Sequence, residues 1–135
     1  MKNPKLQSER WLKQAKYDLR QAQASLENES YAYACFFSEQ SSQKSLKAYL
    51  MYQGRRYVNI HSIGELLKQA GEFDEKFKVL IDRGKQLDQY YLSSRYPDAV
   101  PEPAIPAEIF VKDQAETALD IAGAIFALSE KLIEE

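Results

Sequence analysis

Apolar positions recur every third or fourth residue along most of the chain, the spacing of one helix face. No run alternates with the period of two that a strand requires. Residues 1–7 read as a frayed end. Ser8 is placed to cap a first helix that aligns Trp11, Leu12, Ala15, Leu19, Ala22 and Leu26 on one stripe, with Lys13, Lys16 and Arg20 off it as a solvated face. Asn28-Glu29-Ser30 breaks the pattern. Ser30 is a cap for a second helix, from about Tyr31 to Met51, that ends before Gly54. Its stripe of Tyr31, Ala34, Cys35, Ser38, Ser45, Leu46 and Tyr49 holds several small residues, which lets a neighbouring helix come close. Another face carries Phe36, Gln40, Gln43, Lys44 and Lys47, and sets Gln40 and Lys44 one turn apart on the same side. The plainer reading of that polar row is a solvated surface.

Gly54 to Ile60 reads as a loop. Ser62 and Glu65 fit a capping box for a short helix that Gly71 ends. Asp74 is placed to cap a helix from Glu75 to about Tyr91, with Phe77, Leu80, Ile81, Leu87, Tyr91 and Leu92 as its apolar positions and Gly84 as a weak point. Pro97, Pro101, Pro103 and Pro106 keep the next stretch extended, as a loop within the domain. A last helix, from about Ala107 to Lys131, carries two stripes: Ala118, Ile121, Ala122, Ile125, Leu128 and Leu132, and beside them Leu119, Gly123 and Phe126. A helix apolar on two sides needs two partners, a second layer of core or another subunit. The expected fold is all-α, an up-and-down four-helix bundle with one additional short helix, a single domain over residues 1–135.

Composition narrows the function classes. The 135 residues suffice for one domain with one core. A formal net charge of −2 gives no global field toward nucleic acid or anionic lipid, so a nucleic-acid contact would be a local patch. The one cysteine, Cys35, excludes an internal disulfide and a cysteine-based zinc site, and its place in an apolar helical run reads as core. No apolar run approaches the roughly 20 residues that span a bilayer, and no signal-peptide core is present; the expected compartment is the cytoplasm, without a membrane contact.

Polar chemistry concentrates in Tyr90-Tyr91-Leu92-Ser93-Ser94-Arg95-Tyr96-Pro97-Asp98, where a helical pattern gives out ahead of the prolines. Tyrosines can stack a base and Arg95 and Lys44 can pair with phosphate. Alternatively the tyrosines pack between helices and Arg95 sits at a helix end, favouring its dipole, with Asp98 fixing it. The one histidine, His61, follows Arg56 after four intervening residues. Arginine stabilises charge on a phosphate and histidine transfers protons near neutral pH, a pairing suited to RNA cleavage by the ribose 2′-OH. One histidine cannot be both acid and base in the simplest scheme; a symmetric dimer would supply two. A histidine at a helix start is also an ordinary structural hydrogen-bonder. The residue set argues against a histidine-rich metal site, a Gly-rich phosphate loop and a serine nucleophile elbow, and no metal or cofactor is expected.

These residues, in order, resemble the HEPN (higher eukaryotes and prokaryotes nucleotide-binding) domain. The resemblance is carried by Trp11, Ala15, Asp18 and Leu19; by the run from Ser38 to Ala48, similar to the family's QxxEKxxKA; by His61-Ser62-Ile63 with Leu66-Leu67; and by Leu87-Asp88-Gln89-Tyr90-Tyr91 followed by Arg95-Tyr96-Pro97-Asp98. Gln43 stands where a glutamate is expected. The resemblance implies a helical bundle that commonly forms a homodimer, often beside a small nucleotidyltransferase partner, the two acting as a toxin–antitoxin module. It also implies that some relatives are metal-independent ribonucleases using an arginine and a histidine separated by four to six residues; Arg56 and His61 fit that count, and Arg55 fits it with five between. The leading expectation is a nucleotide or partner-protein site lined by Gln40, Lys44, His61, Tyr91, Arg95, Tyr96 and Asp98. Gln40 would orient a neighbour and Arg95 contact phosphate. The alternatives are RNA cleavage by Arg56 and His61 across a dimer, and a non-catalytic interaction module.

Overall fold

The computed structural model describes residues 3–56 and 58–134. Helix α1 spans Pro4–Glu27. Asn3, not Ser8, caps it: the Asn3 side-chain oxygen accepts from the amides of Lys5 (2.9 Å) and Leu6 (3.3 Å). Pro4, at the first helical position, has no amide to leave unsatisfied. Ser8 lies one turn inside, buried, and its hydroxyl donates to the Ala48 carbonyl at 2.8 Å. The segment expected to be frayed is therefore helical from Pro4, while Met1 and Lys2 lie outside the described residues.

Helix α2 spans Tyr31–Tyr52. Ser30 precedes it as expected but does not cap with its hydroxyl, which accepts from the Asn28 side chain at 3.3 Å; the Ser30 carbonyl closes the first turn with the Ala34 amide at 3.0 Å. Two hydroxyl–carbonyl bonds join α1 and α2, Ser8 to Ala48 and Ser41 to Ala15 (2.8 Å each), so the two helices run antiparallel. The small residues at this seam, Ala15, Ala22, Ser41 and Ser45, are buried and let the backbones come close. Ser42 and Ser45 return their hydroxyls to the carbonyls of Ser38 and Ser41, which removes the cost of burying them.

Helix α3 spans Ile63–Gly71, a 3-10 segment spans Glu75–Leu80, and α4 (Ile81–Asp88) and α5 (Tyr90–Ser93) follow. Ser62 accepts from the Glu65 amide at 3.2 Å, one half of the expected capping box; the Glu65 carboxylate is turned to Gln69. Asp74 caps as expected, through the Lys76 amide, but the helix it starts is broken into pieces. Gly84 is where α4 crosses α3: a Cβ there would sit 2.2 Å from Leu67 Cδ1. The proline-rich stretch holds a short 3-10 turn, Pro97–Ala99, before α6 (Pro106–Ile109). Phe110 is extended, its ring 5.6 Å from Tyr90, and α7 (Lys112–Glu134) begins after it.

Helix α2 is the axis of the molecule, with α1 along one side and α7 along another, while α3 and α4 close the remainder. The core gathers Leu46 and Leu50 of α2, Ile63, Leu66 and Leu67 of α3, Phe77, Leu87, and Ile121 and Ile125 of α7. The architecture is all-α, and among the described residues no helix is long and apolar enough to cross a membrane.

Candidate functional site

Because α2 is covered on most of its circumference, several of its polar residues are buried. Glu39, Gln43 and Lys47 are spaced four apart on one face and all three are buried, Glu39 completely. They are also connected. Gln43 donates its amide nitrogen to Glu39 Oε2 at 3.0 Å, and Lys47 donates to Gln43 Oε1 at 3.0 Å. Gln40 donates to the other carboxylate oxygen of Glu39 at 2.7 Å. Burial pushes the Glu39 carboxyl above its ordinary range; the bonds from Gln40 and Gln43 oppose the rise, nearby Asp88 adds to it and Arg95 counters it. Burial likewise lowers Lys47, with Glu39 pulling it back up and Lys44 pushing it further down.

The entrance to α3 meets this row. His61 Nδ1 lies 3.3 Å from Gln43 Oε1, and its ring stacks on Tyr91 of α5, with centroids 5.3 Å apart and planes at 19°. The α3 N-terminus is held by Asp88 at the end of α4. Its carboxylate accepts from the Ser62 hydroxyl (3.0 Å) and from the amides of Ile63 and Gly64, a negative group at the positive end of the helix. Asp88 thus sets where His61 sits, although its only signal in the sequence was a place in the Leu87–Tyr91 run.

Arg95 completes the cluster. Its Nε and Nη2 donate to the Tyr91 carbonyl at 3.2 and 2.8 Å. The guanidinium carbon lies 4.5 Å from the ring centre of Phe36, 4.9 Å from Tyr96 and 5.3 Å from Tyr91, close enough for cation–π attraction to each. Beside it opens a cleft of about 320 Å³ between the start of α2 and the proline-rich loop, lined by Tyr31, Tyr33, Ser94, Arg95, Pro97 and Ile105 among others.

His61, Tyr91, Arg95 and Tyr96 therefore converge, and Gln40 joins them indirectly through Glu39. Lys44 goes the other way. It pairs with Asp18 of α1 at 2.6 Å, and Asp18 also accepts from Gln14. Lys44 lines a separate cleft of about 440 Å³ with Gln7, Arg10, Trp11 and Gln14. Asp98 is exposed in the 3-10 turn, while Arg95 is held by the Tyr91 carbonyl and the rings. Arg56 is exposed in the loop between α2 and α3. Its neighbour Arg55 is bound to the far end of α3, through Gln69 and through Glu72 at 3.4 Å. Cys35 is fully buried and its thiol is pushed up to about 12, the character of a core residue rather than a nucleophile. Among the described residues no group of three or more His, Cys, Asp or Glu side chains could hold a metal ion.

Glu39, Gln43, Lys47, Phe36 and Asp88 belong to this cluster but were not among the expected site residues. An ionisable side chain in a helix with apolar positions on most sides is the signal that marks Glu39, since such a helix offers little solvated face.

Comparison with known proteins agrees with the architecture. The family model described as "HEPN domain" matches residues 8–132. The structure is similar to that of TT1696 from Thermus thermophilus, with a TM-score of 0.85 and 38% identity over 93% of this chain and 97% of that one. It is similar to ST0689, described as an archaeal HEPN homologue, at a TM-score of 0.77 and 32% identity over 98% and 99% of the two chains. Among curated sequences, a protein of Methanocaldococcus jannaschii named "Putative toxin MJ1304" is 26% identical across 93% of this chain and 87% of its own length. With a family match that runs from the first turns of α1 almost to the end of α7, the chain belongs to the HEPN domain family.

Proposed function

We propose that this HEPN protein is the toxin half of a toxin–antitoxin pair and that it binds a phosphate-bearing ligand, a nucleotide or an RNA strand, against Arg95. The observation that carries the binding reading is the Arg95 guanidinium at the wall of an open cleft, framed by Phe36, Tyr91 and Tyr96. A planar cation fixed by rings is already organised to meet a phosphate, so little ordering entropy is lost on binding. The Tyr91 ring is engaged by His61 and Arg95 and the Tyr96 ring by Arg95, which leaves the exposed Tyr33 in the cleft lining as the face for a base. The toxin reading takes its support from the name of the Methanocaldococcus relative. Its partner would be an antitoxin, which we place among the small nucleotidyltransferases, and the working unit would be a homodimer.

Calorimetric titration with a panel of mononucleotides and a short single-stranded RNA tests the site. Arg95→Ala is expected to weaken binding about tenfold or more, since a charge-assisted phosphate contact contributes roughly 1.5–3 kcal/mol. No heat with any ligand, or equal affinity in the variant, removes the proposal. Growth arrest on expression, relieved by the co-expressed nucleotidyltransferase, tests the pairing separately.

A second reading is RNA cleavage, in which His61 moves protons and Arg56 meets the phosphate. It is favoured by the His61 ring nitrogen at Gln43 Oε1, an arrangement that orients an imidazole for acid–base work. Incubation with RNA in the presence of chelator, compared with His61→Ala and Arg56→Ala, decides it: cleavage that is absent, or unchanged in both variants, ends this reading.

A further inference from the structure

The hydrogen-bond partners of Gln43 leave its side chain one orientation. Lys47 Nζ carries only protons to donate, and it lies 3.0 Å from one terminal atom of the Gln43 amide, which must therefore be the carbonyl oxygen. The Glu39 carboxylate, when ionised, only accepts, and it lies 3.0 Å from the other, which must be the nitrogen. Both constraints point the same way. Gln40 secures the second oxygen of Glu39, so the carboxylate cannot turn without losing a bond in a site closed to water. The oxygen that this fixes is the atom 3.3 Å from His61 Nδ1.

We infer that Gln43 is a positioning residue that sets the tautomer of His61. A carbonyl oxygen offers the imidazole no proton, so the ring must bring one: the neutral imidazole carries its hydrogen on Nδ1, and the lone pair that can accept a proton stands on Nε2. The Tyr91 ring, stacked at 5.3 Å, holds the imidazole plane while Gln43 sets its rotation. The buried row of α2 thus orients an exposed ring on the loop before α3. Its role in turnover rests on the cleavage reading above; the tautomer itself does not.

The chain has one histidine, so its imidazole nitrogen resonances belong to His61 without further assignment. Nitrogen-15 spectra of the full chain, taken where the ring is neutral, should show Nδ1 protonated and Nε2 bare. Gln43→Leu removes the acceptor, and the population should shift toward the Nε2–H form that free histidine prefers. Gln43→Glu, which must carry a proton on the oxygen facing Glu39 to replace the lost amide donor, keeps an acceptor toward His61 and should restore the Nδ1–H form. A wild-type spectrum already dominated by Nε2–H, or one unchanged in a folded Gln43→Leu protein, overturns the inference. If Gln43→Leu fails to fold, the wild-type spectrum alone decides. Where the wild type cleaves RNA, Gln43→Leu should lower kcat by about tenfold or more with KM held, part of the roughly 10²–10⁴ that acid–base catalysis supplies. An Nδ1–H tautomer in a protein that cleaves nothing would sink the cleavage reading and leave this one standing. Cleavage that needs His61 but runs with an Nε2–H ring would do the reverse.

Discussion

Glu39 shows what one buried charge demands of its surroundings. Its carboxyl is harder to ionise in the folded chain than in the unfolded one, because burial outweighs the two bonds it receives and the attraction of Arg95, while Asp88 works against ionisation. The sign for stability follows. Below the ordinary value of 4.5 the group is protonated in both states and costs nothing. Between that value and the raised folded one, the folded chain holds more protons, so stability falls as pH rises and the full cost is present above the folded value. Glu39→Gln removes the titration. It also sets donor against donor with Gln40 or Gln43, a penalty that does not change with pH. Thermal melts of both proteins across the acidic range should therefore show the difference in Tm moving in favour of Glu39→Gln as pH climbs toward neutrality. A difference that stays flat would mean that Glu39 is solvated in solution and that the row on α2 is not closed.

At the scale of elements, two glycines that look alike in sequence have opposite meanings. Gly84 reads as a weak point in a helical pattern, yet it is the contact at which α4 reaches α3. Leu67, whose Cδ1 a new Cβ would strike, is fully buried and cannot swing aside. Gly123 in α7 has nothing within 4 Å of an added Cβ. Gly84→Ala should destabilise the protein by about 1–3 kcal/mol through overpacking, despite the helical gain. Gly123→Ala should stabilise it by up to about 1 kcal/mol, since only propensity changes. Urea denaturation of both variants checks the pair, and equal shifts would refute the close α3–α4 crossing. The same contrast explains what was legible in the sequence. The limits of α2 were readable because local signals mark them, Ser30 before it and Gly54 after. The start of α1 was misplaced: Ser8 looks like a cap, whereas Asn3 holds the first amides one turn earlier. The fragmentation after Asp74 and the break at Phe110 were not readable, because Phe77 sits against Tyr49 at 4.6 Å and Phe110 against Tyr90 at 5.6 Å. Contacts with distant residues set those bends, and periodicity carries no trace of them.

Across the whole molecule, the structure separates two groups of side chains that the sequence had joined. Helical spacing puts Gln40 and Lys44 on one side, and that much was legible. Which loop reaches that side depends on how α1 and α5 pack around α2, and spacing is silent there. Lys44 is drawn to α1 by Asp18, whereas Arg95, Tyr91 and His61 stand together at the entrance to α3. The two groups should therefore answer differently to mutation. Lys44→Ala leaves Asp18, itself buried, with Gln14 as its remaining hydrogen-bonding side chain, and should cost about 1–3 kcal/mol of stability. It should not change the affinity of a ligand held at Arg95. Arg95→Ala should weaken that ligand, and in the double variant the binding effect should match Arg95→Ala alone, as expected for sites with no shared partner. Titrations of the four proteins, each confirmed folded by its melt, give the answer. Equal loss of affinity in Lys44→Ala and Arg95→Ala would mean that a ligand spans both clefts, and that the cationic surface of this HEPN protein is continuous across α2.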